Sequence, residues 1–232
     1  MIFRAMRYNY LFFDLDGTLT KSEYGIIDSA TYALEKMGIS VDSPEELKKF
    51  IGPPLYVSFR DFYGMSQEDA ERAVVFYRDF YVREGIYNAP LYDGIAEVLE
   101  KLQGEGYTLF VVTSKPAEFA EIVLEHNEIR KYFSAVIGPT KEKKHADKIC
   151  LINEAIDRIT ESAEGGRRCE ELRNSISEKS LMIGDRLYDI EAAVKTGIDS
   201  IGVLFGYGSR QELEEAGATY IAGSVEDIMN FL

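Results

Sequence analysis

The segment "YNYLFFDLDGTLTKSEYG", Tyr8 to Gly25, decides how this chain is read. An apolar run, "YLFF", ends in two aspartates, Asp14 and Asp16, with only Leu15 between them; Gly17 and Thr18 follow at once. A short continuous apolar run is expected to be a strand covered on both faces. Carboxylates at the end of such a strand are costly to bury unless cations face them. Alternate positions on an extended chain share a face, so Asp14 and Asp16 are expected to enter the same space.

The same pattern recurs. "YTLFVVT" (Tyr107 to Thr113), "FSAVIG" (Phe133 to Gly138), "SLMIGD" (Ser180 to Asp185) and "SIGVLF" (Ser200 to Phe205) are predicted strands, and "TYIA" near Thr219 a short last one. Helical patterns lie between them. "GIAEVLEKLQGEG" carries Ile95, Val98, Leu99 and Leu102 at helical spacing, and "PAEFAEIVLEHN" starts on Pro116 and carries Phe119, Ile122 and Val123. "KICLINEAI" repeats Ile149, Ile152 and Ile156, and "YDIEAAVKTG" stops at Gly197. Strand and helix alternate from about residue 90 onward, which predicts an α/β fold: a Rossmann-like parallel sheet with helices on both faces. The core is assigned residues 1–20 and 90–232.

Residues 21–89 read differently, as an inserted all-helical cap subdomain. "GIIDSATYALEKMG" is amphipathic, while "SPEELKKFIG" and "SQEDAERAVVFYRDFYVREG" each begin on a serine suited to capping. Its aromatic residues (Tyr56, Phe59, Phe62, Tyr63, Phe76, Tyr77, Phe80, Tyr81) are expected to be mostly core. The stretch "DRITESAEGGRRCEELRNSISEKS", broken by Gly165 and Gly166, reads as a surface insertion in which "RRCEELRNSI" can form a short helix.

Composition narrows the function. The chain has 232 residues, is 46% hydrophobic, and carries 40 acidic against 26 basic residues, a net charge of −14. An acidic surface repels a polyphosphate backbone, so no nucleic-acid partner is expected. One small phosphorylated metabolite is compatible, if the site is locally positive. Cys150 and Cys169 form neither a disulfide framework nor a zinc pattern. No apolar run approaches the roughly 20 residues that span a membrane, and "MIFRAMRYNY" lacks the pattern of a signal peptide. A cytoplasmic protein with no membrane partner, a monomer or homodimer, is expected; Met6 offers an alternative start to Met1.

Chemistry-bearing residues collect at strand ends. Asp14 closes the first strand, Asp185 closes "SLMIGD", and Asp189 follows one helical turn later. In an open parallel sheet the strand C-termini border the ligand crevice. Carboxylates converging there suit Mg²⁺, which binds a few carboxylates together with water and phosphate. Thr113, Ser114 and Lys115 follow another strand, just before a helix, a suitable place for an anion. Lys148 opens the "KICLINEAI" helix and can direct a positive charge into the crevice.

Together, "DLDGT" (Asp14 to Thr18), "VVTSK", Lys148 and "GDRLYD" resemble, in order, the four motifs of the haloacid dehalogenase superfamily. The helical insertion resembles the C1 cap of its phosphoglycolate-phosphatase-like branch, as do "IGPPL" (Ile51 to Leu55) and the tail from Ser200. The resemblance implies a Mg²⁺-dependent phosphatase acting on a small phosphomonoester, of phosphoglycolate or nucleoside monophosphate type. Asp14 would be the nucleophile that forms an aspartyl phosphate, and Asp16 the acid and base. The metal would be held by Asp14, the backbone carbonyl of Asp16, and Asp185. Thr113 and the Ser114 amide would hold phosphate oxygens, Gly17 would leave room beside the phosphate, and Lys148 would stabilise the added charge. Asp189 would position Lys148 or the metal's water. For the third motif Lys148 is preferred to Lys144, with Lys141 and Lys143 close by. Other readings are a mutase of the β-phosphoglucomutase type, a pyrophosphatase and, from a different class, a non-catalytic phosphate-binding regulator.

Overall fold

The computed structural model describes residues 6–51, 53, 55–140, 147–163 and 170–232. The alternative lysines 141, 143 and 144, Gly165, Gly166, Cys169 and part of "IGPPL" lie outside the described residues. The chain divides into two compact units, one of residues 1–20 with 91–232 and one of residues 21–90.

In the larger unit the strands are β1 (Tyr10–Phe13), β2 (Thr108–Val112), β3 (Phe133–Ile137), β4 (Ser180–Gly184), β5 (Asp199–Val203) and β6 (Tyr220–Ala222). They form one sheet in the order β3-β2-β1-β4-β5-β6, every pair parallel. The chain runs outward from β1 through β2 to β3, then crosses back to β4 on the other side of β1. The direction of winding therefore reverses between β1 and β4. In register, Phe13 lies opposite both Val111 and Ile183. Whatever follows Phe13 thus emerges between the ends of two neighbouring strands, where open sheets of this type bind ligands.

Both faces of the sheet are buried. Phe12, Phe110 and Met182 point to one side, where Phe12 and Phe110 meet edge to face at 5.7 Å. They are covered by α6 (Lys148–Ala163), which contributes Leu151, Ile152, Ala155, Ile156 and Ile159, and by Ala192 and Ala193 of α8 (Leu187–Thr196). Leu11, Phe13, Leu109, Val111, Leu181 and Ile183 alternate to the other side and are equally buried. Each such side chain contributes roughly 1.5–3 kcal/mol by leaving water, which holds the strand ends in fixed positions.

The remaining core helices are α4 (Ile95–Gly104), α5 (Ala117–His126), α7 (Glu170–Glu178) and α9 (Arg210–Glu215). All four apolar positions expected of α4 are buried. In α5 the buried face is Ala120, Val123 and Leu124, and Phe119 and Ile122 are half exposed. The buried face thus shares Val123 with the expected one and is rotated toward Ala120 and Leu124. Pro116 stands just before α5 as its N-cap rather than inside its first turn.

The surface insertion also needs correcting. The helix that starts at Lys148 continues to Ala163, and α7 buries Ile176 in the core cluster while Arg173 binds Asp157 at 2.9 Å. Its single buried isoleucine among many polar residues hides this role from a reading of composition.

The smaller unit contains α1 (Glu23–Lys36), α2 (Leu55–Tyr63) and α3 (Gln67–Arg83), with 3₁₀ turns at Pro44–Phe50 and Gly85–Tyr87. Ser66 caps α3 as expected, its hydroxyl accepting from Asp69 N–H at 3.1 Å. Ser43 makes no such bond, and the segment after it is 3₁₀ rather than α. Of the eight aromatic residues assigned to this unit's core, Phe59, Tyr77 and Tyr81 are buried; Phe62 is exposed and the rest are half exposed. Gly25 and Gly85 let α1 approach the turn at Gly85, since a Cβ on Gly25 would lie 1.9 Å from the Gly85 carbonyl oxygen.

Candidate active site

Asp14 is the first residue beyond β1 and is tied to β4 by its N–H, which donates to the Ile183 carbonyl at 2.9 Å. Asp185 is the first residue beyond β4. Asp189 lies in the first turn of α8 and folds back over the end of β4. Only Gly184 permits this, since a Cβ there would lie 2.4 Å from Cβ of Asp189. One carboxylate oxygen from each of Asp14, Asp185 and Asp189 falls within 4.8 Å of the others.

Among the described residues, a single ammonium faces this cluster directly. Lys148 is the first residue of α6, whose N-terminus is held by Asp147, accepting from Cys150 N–H at 2.8 Å. Side chains on a helix tilt toward its N-terminus, so Lys148 projects beyond the helix into the crevice. Its Nζ lies 2.7 Å from Asp14 Oδ1, 2.8 Å from Asp189 Oδ1 and 2.9 Å from the Val112 carbonyl oxygen. The contact with Asp189 is an ion pair without hydrogen-bond alignment, and Asp189 Oδ1 is a buried oxygen with no hydrogen bond. The other oxygen of Asp189 accepts from Arg186 N–H at 3.2 Å.

The electrostatics record the imbalance. Burial is the largest influence on Asp14; against the pull of Lys148, and with Asp189 and Asp16 adding to the push, its pKa is raised to about 6. Burial, then the charges of Asp189 and Asp14, push Asp185 well above the ordinary carboxylate range, although Tyr207 N–H and Arg186 oppose this. Burial disfavours the Lys148 ammonium, yet Asp14 and Asp189 outweigh it and raise its pKa. The cluster therefore holds more negative charge than Lys148 balances. A hard divalent cation fits such an oxygen-only donor set, to which Asp189, paired through Oδ1 with the Lys148 ammonium at 2.8 Å, adds a third carboxylate.

Asp16 is placed apart from the other three carboxylates. Both of its oxygens accept from Lys115 Nζ at 2.5 Å. Gly17 turns the chain just after it with φ +90. A Cβ on Gly17 would lie 2.2 Å from Asp185 Oδ2, so only glycine fits between the β1 turn and Asp185. Thr113 and Ser114 follow β2. Thr113 is buried, and its hydroxyl accepts from Lys115 N–H at 3.2 Å, leaving its proton to donate; Ser114 is exposed.

The sequence reading missed three contributors. Lys115 stands at the anion-binding strand end, and nothing along the chain indicates its contact with Asp16. Thr18 donates to Asp185 Oδ1 at 3.3 Å, and Tyr207 N–H donates to Asp185 Oδ2 at 2.8 Å. Tyr207 sits between Gly206 and Gly208, where a Cβ would come within 2.3 Å of Asp185 Cβ and 2.0 Å of its carbonyl oxygen. The "GYG" at 206–208 was the available signal: two glycines one residue apart mark a backbone that approaches something closely.

The switch-point crevice of a doubly wound parallel sheet, with two aspartates after the first strand, a lysine and a second acidic pair, has the groups that phosphoryl transfer uses. The family described as haloacid dehalogenase-like hydrolase matches residues 11–203. The chain belongs to this family and is a phosphatase-type enzyme within it. A 5'-nucleotidase of Pseudomonas aeruginosa is 36% identical over 228 residues, 98% of this chain and 97% of that protein. A protein of Mycobacterium bovis named tyrosine-protein kinase PtkA is 30% identical, covering 95% of this chain and 71% of its own. A phosphoglycolate phosphatase of Vibrio parahaemolyticus is 27% identical over 94% of this chain and 92% of its own. Among solved structures, a predicted phosphatase from Clostridium acetobutylicum is 39% identical, with a TM-score of 0.80 over 97% of each chain. Among the described residues, no helix is long and apolar enough to cross a membrane.

Proposed function

We propose that the chain is a Mg²⁺-dependent phosphatase that hydrolyses a small phosphomonoester through an aspartyl phosphate on Asp14. The observation that carries this reading is the position of Asp14: buried at the switch point, with one oxygen on Lys148 and beside Asp185 and Asp189. Mg²⁺, held by Asp14, Asp185 and the backbone carbonyl of Asp16, with Asp189 close by, would supply positive charge to the phosphoryl oxygens.

The rest of the chemistry belongs to side chains. The Asp14 oxygen not held by Lys148 bonds to phosphorus as the bond to the ester oxygen breaks, and Asp16 gives that oxygen a proton. Lys148 keeps Asp14 oriented and stabilises charge that develops on the phosphoryl group. The Thr113 hydroxyl and the Ser114 N–H hold phosphate oxygens. Water then attacks phosphorus, Asp16 takes its proton, and the bond to Asp14 breaks to release phosphate. Residues 21–90 are assigned the role of a cap that selects the substrate. The names of the phosphatase relatives make phosphoglycolate and nucleoside monophosphates the first substrates to try. A cytoplasmic location and a monomeric or homodimeric state are part of the same proposal.

Turnover of p-nitrophenyl phosphate with Mg²⁺, followed by a panel of phosphorylated metabolites, tests the reading. Phosphate release that depends on Mg²⁺ and is lost in Asp14→Ala and Asp16→Ala is the expected result. No release by the wild type, or undiminished release by either variant, overturns it. The mycobacterial relative's name favours one second reading, transfer of the phosphoryl group to a tyrosine hydroxyl in place of water. Label from ATP appearing on tyrosine would support that reading.

A further inference from the structure

Asp16 is assigned the proton transfers, yet both of its oxygens are occupied by Lys115. Lys115 is no solvated surface lysine, for its side chain is 6% exposed. Its backbone is fixed by the bond from its N–H to Thr113, and its carbonyl oxygen lies 2.6 Å from where a Cβ on Gly138 would stand. The fold thus builds a buried cation beside the residue that must reach the leaving oxygen.

The arrangement has a consequence for substrates. Once Asp16 carries a proton for the ester oxygen, it no longer offers Lys115 the two charged oxygens that hold it at 2.5 Å. A buried ammonium that gives up a carboxylate needs another anion in its place. A leaving group that brings its own anion meets both needs. The overall charge of −14 works against any anionic leaving group, so acceptance of one requires a local cation at this position.

We propose that Lys115 is a specificity-determining residue that reads the charge of the leaving group. It favours phosphomonoesters whose leaving group carries a carboxylate or phosphate next to the ester oxygen over those whose leaving group is neutral. The inference rests on the phosphatase reading of Asp14 and Asp16. The Lys115 ammonium passes from Asp16 to the substrate's anion. Asp16, carrying the proton it took from the attacking water of the preceding turnover, gives it to the ester oxygen as the phosphorus bonds to Asp14 and its bond to that oxygen breaks. The alcohol leaves with its anion still paired to Lys115.

Two esters that differ only by carboxylate in place of methyl, 2-phosphoglycolate and ethyl phosphate, test this with Mg²⁺ present. Wild type is expected to favour phosphoglycolate in kcat/KM by about 10- to 100-fold, the worth of a hydrogen bond to a charged group. Lys115→Met is expected to bring the ratio close to one, chiefly by losing phosphoglycolate turnover. Lys115→Arg is expected to restore part of the preference. Glycolate should compete with substrate in the wild type and fail to do so in Lys115→Met. A wild-type ratio near one overturns the inference and leaves the phosphatase reading standing, and it needs no variant to fold. Equal loss on both esters in Lys115→Met also overturns it, since Lys115 would then only position Asp16. Failure of the wild type to hydrolyse either ester also overturns the inference, and turnover of p-nitrophenyl phosphate then decides separately whether the phosphatase reading stands.

Discussion

The two ends of the central sheet both carry clusters of charged and polar side chains, and they are built on opposite terms. At the N-terminal ends of the strands, Asp199 receives Arg7 at 3.0 Å, the Tyr8 hydroxyl, and the Thr219 hydroxyl at 3.3 Å. Arg7 also lies over the rings of Tyr8 and Tyr220, and Tyr220 stacks on Phe231 at 4.9 Å. One acid there meets several donors. At the C-terminal ends, among the described residues, Lys115 balances Asp16, while Asp14, Asp185 and Asp189 share the single ammonium of Lys148. A satisfied cluster stabilises the fold. An unsatisfied one held rigidly in a core stores a demand for an outside charge, which is what binding and catalysis use.

The largest expected break in this comparison is Asp14→Asn. Turnover of p-nitrophenyl phosphate should fall about 10⁴-fold or more, as for loss of a nucleophile in other hydrolases, while the circular dichroism spectrum stays the same. Lys148→Met should lower kcat by about 10²–10³-fold, the scale of losing one preorganised electrostatic contact. If instead kcat is retained and only KM rises, Lys148 serves ground-state binding alone.

The imbalance should also show in stability. The Asp14 pKa is raised to about 6, against about 4 in an unfolded chain. Between these values the native state binds more protons than the unfolded state, so stability falls as pH rises through about 4 to 6. The loss is up to about 3 kcal/mol, on the order of the pKa difference. Urea unfolding of metal-free protein should show this slope, and Asp14→Asn should lessen it, with Asp185 supplying what remains, while added Mg²⁺ should flatten it further. A flat profile in the wild type would mean that the cluster is not under strain.

Gly208→Ala forces a Cβ to within 2.0 Å of the Asp185 carbonyl oxygen. A destabilisation of about 1–3 kcal/mol is expected, together with a smaller rise in Tm on adding Mg²⁺ than in the wild type. At the other end of the sheet, Tyr8→Phe should cost about 1 kcal/mol by deleting one hydrogen bond. Phosphatase activity should be unaltered, and a drop in kcat would mean that the two ends are coupled through β1.

Much of this was legible along the chain. Six parallel strands followed from continuous apolar runs, since a strand covered on both faces needs no alternation. The helix from Lys148 was legible at its start, where its apolar spacing begins, and its length beyond Ile156 was not. In α5 the buried face was misplaced because a sequence shows which side chains are apolar and not which neighbour leaves room. Five of the eight aromatic residues expected in the core of residues 21–90 are not buried, because a unit of some 70 residues has too little interior for that many rings.

The sequence by itself determined the sheet, the strand ends, and the kinds of groups standing at them: Asp14, Asp16, Thr113, Lys148, Asp185 and Asp189. These follow from local patterning, which is a property of neighbours in the chain. The tertiary structure alone decided who faces whom. Lys148 spans 134 positions to reach Asp14, Lys115 spans 99 to hold both oxygens of Asp16, and the Tyr207 N–H reaches back to Asp185. Such pairings depend on strand order, on crossover and on glycines thin enough to let two loops meet. No periodicity along the chain encodes them, which is why the chemistry could be read from "DLDGT" while the lysine occupying its second aspartate could not.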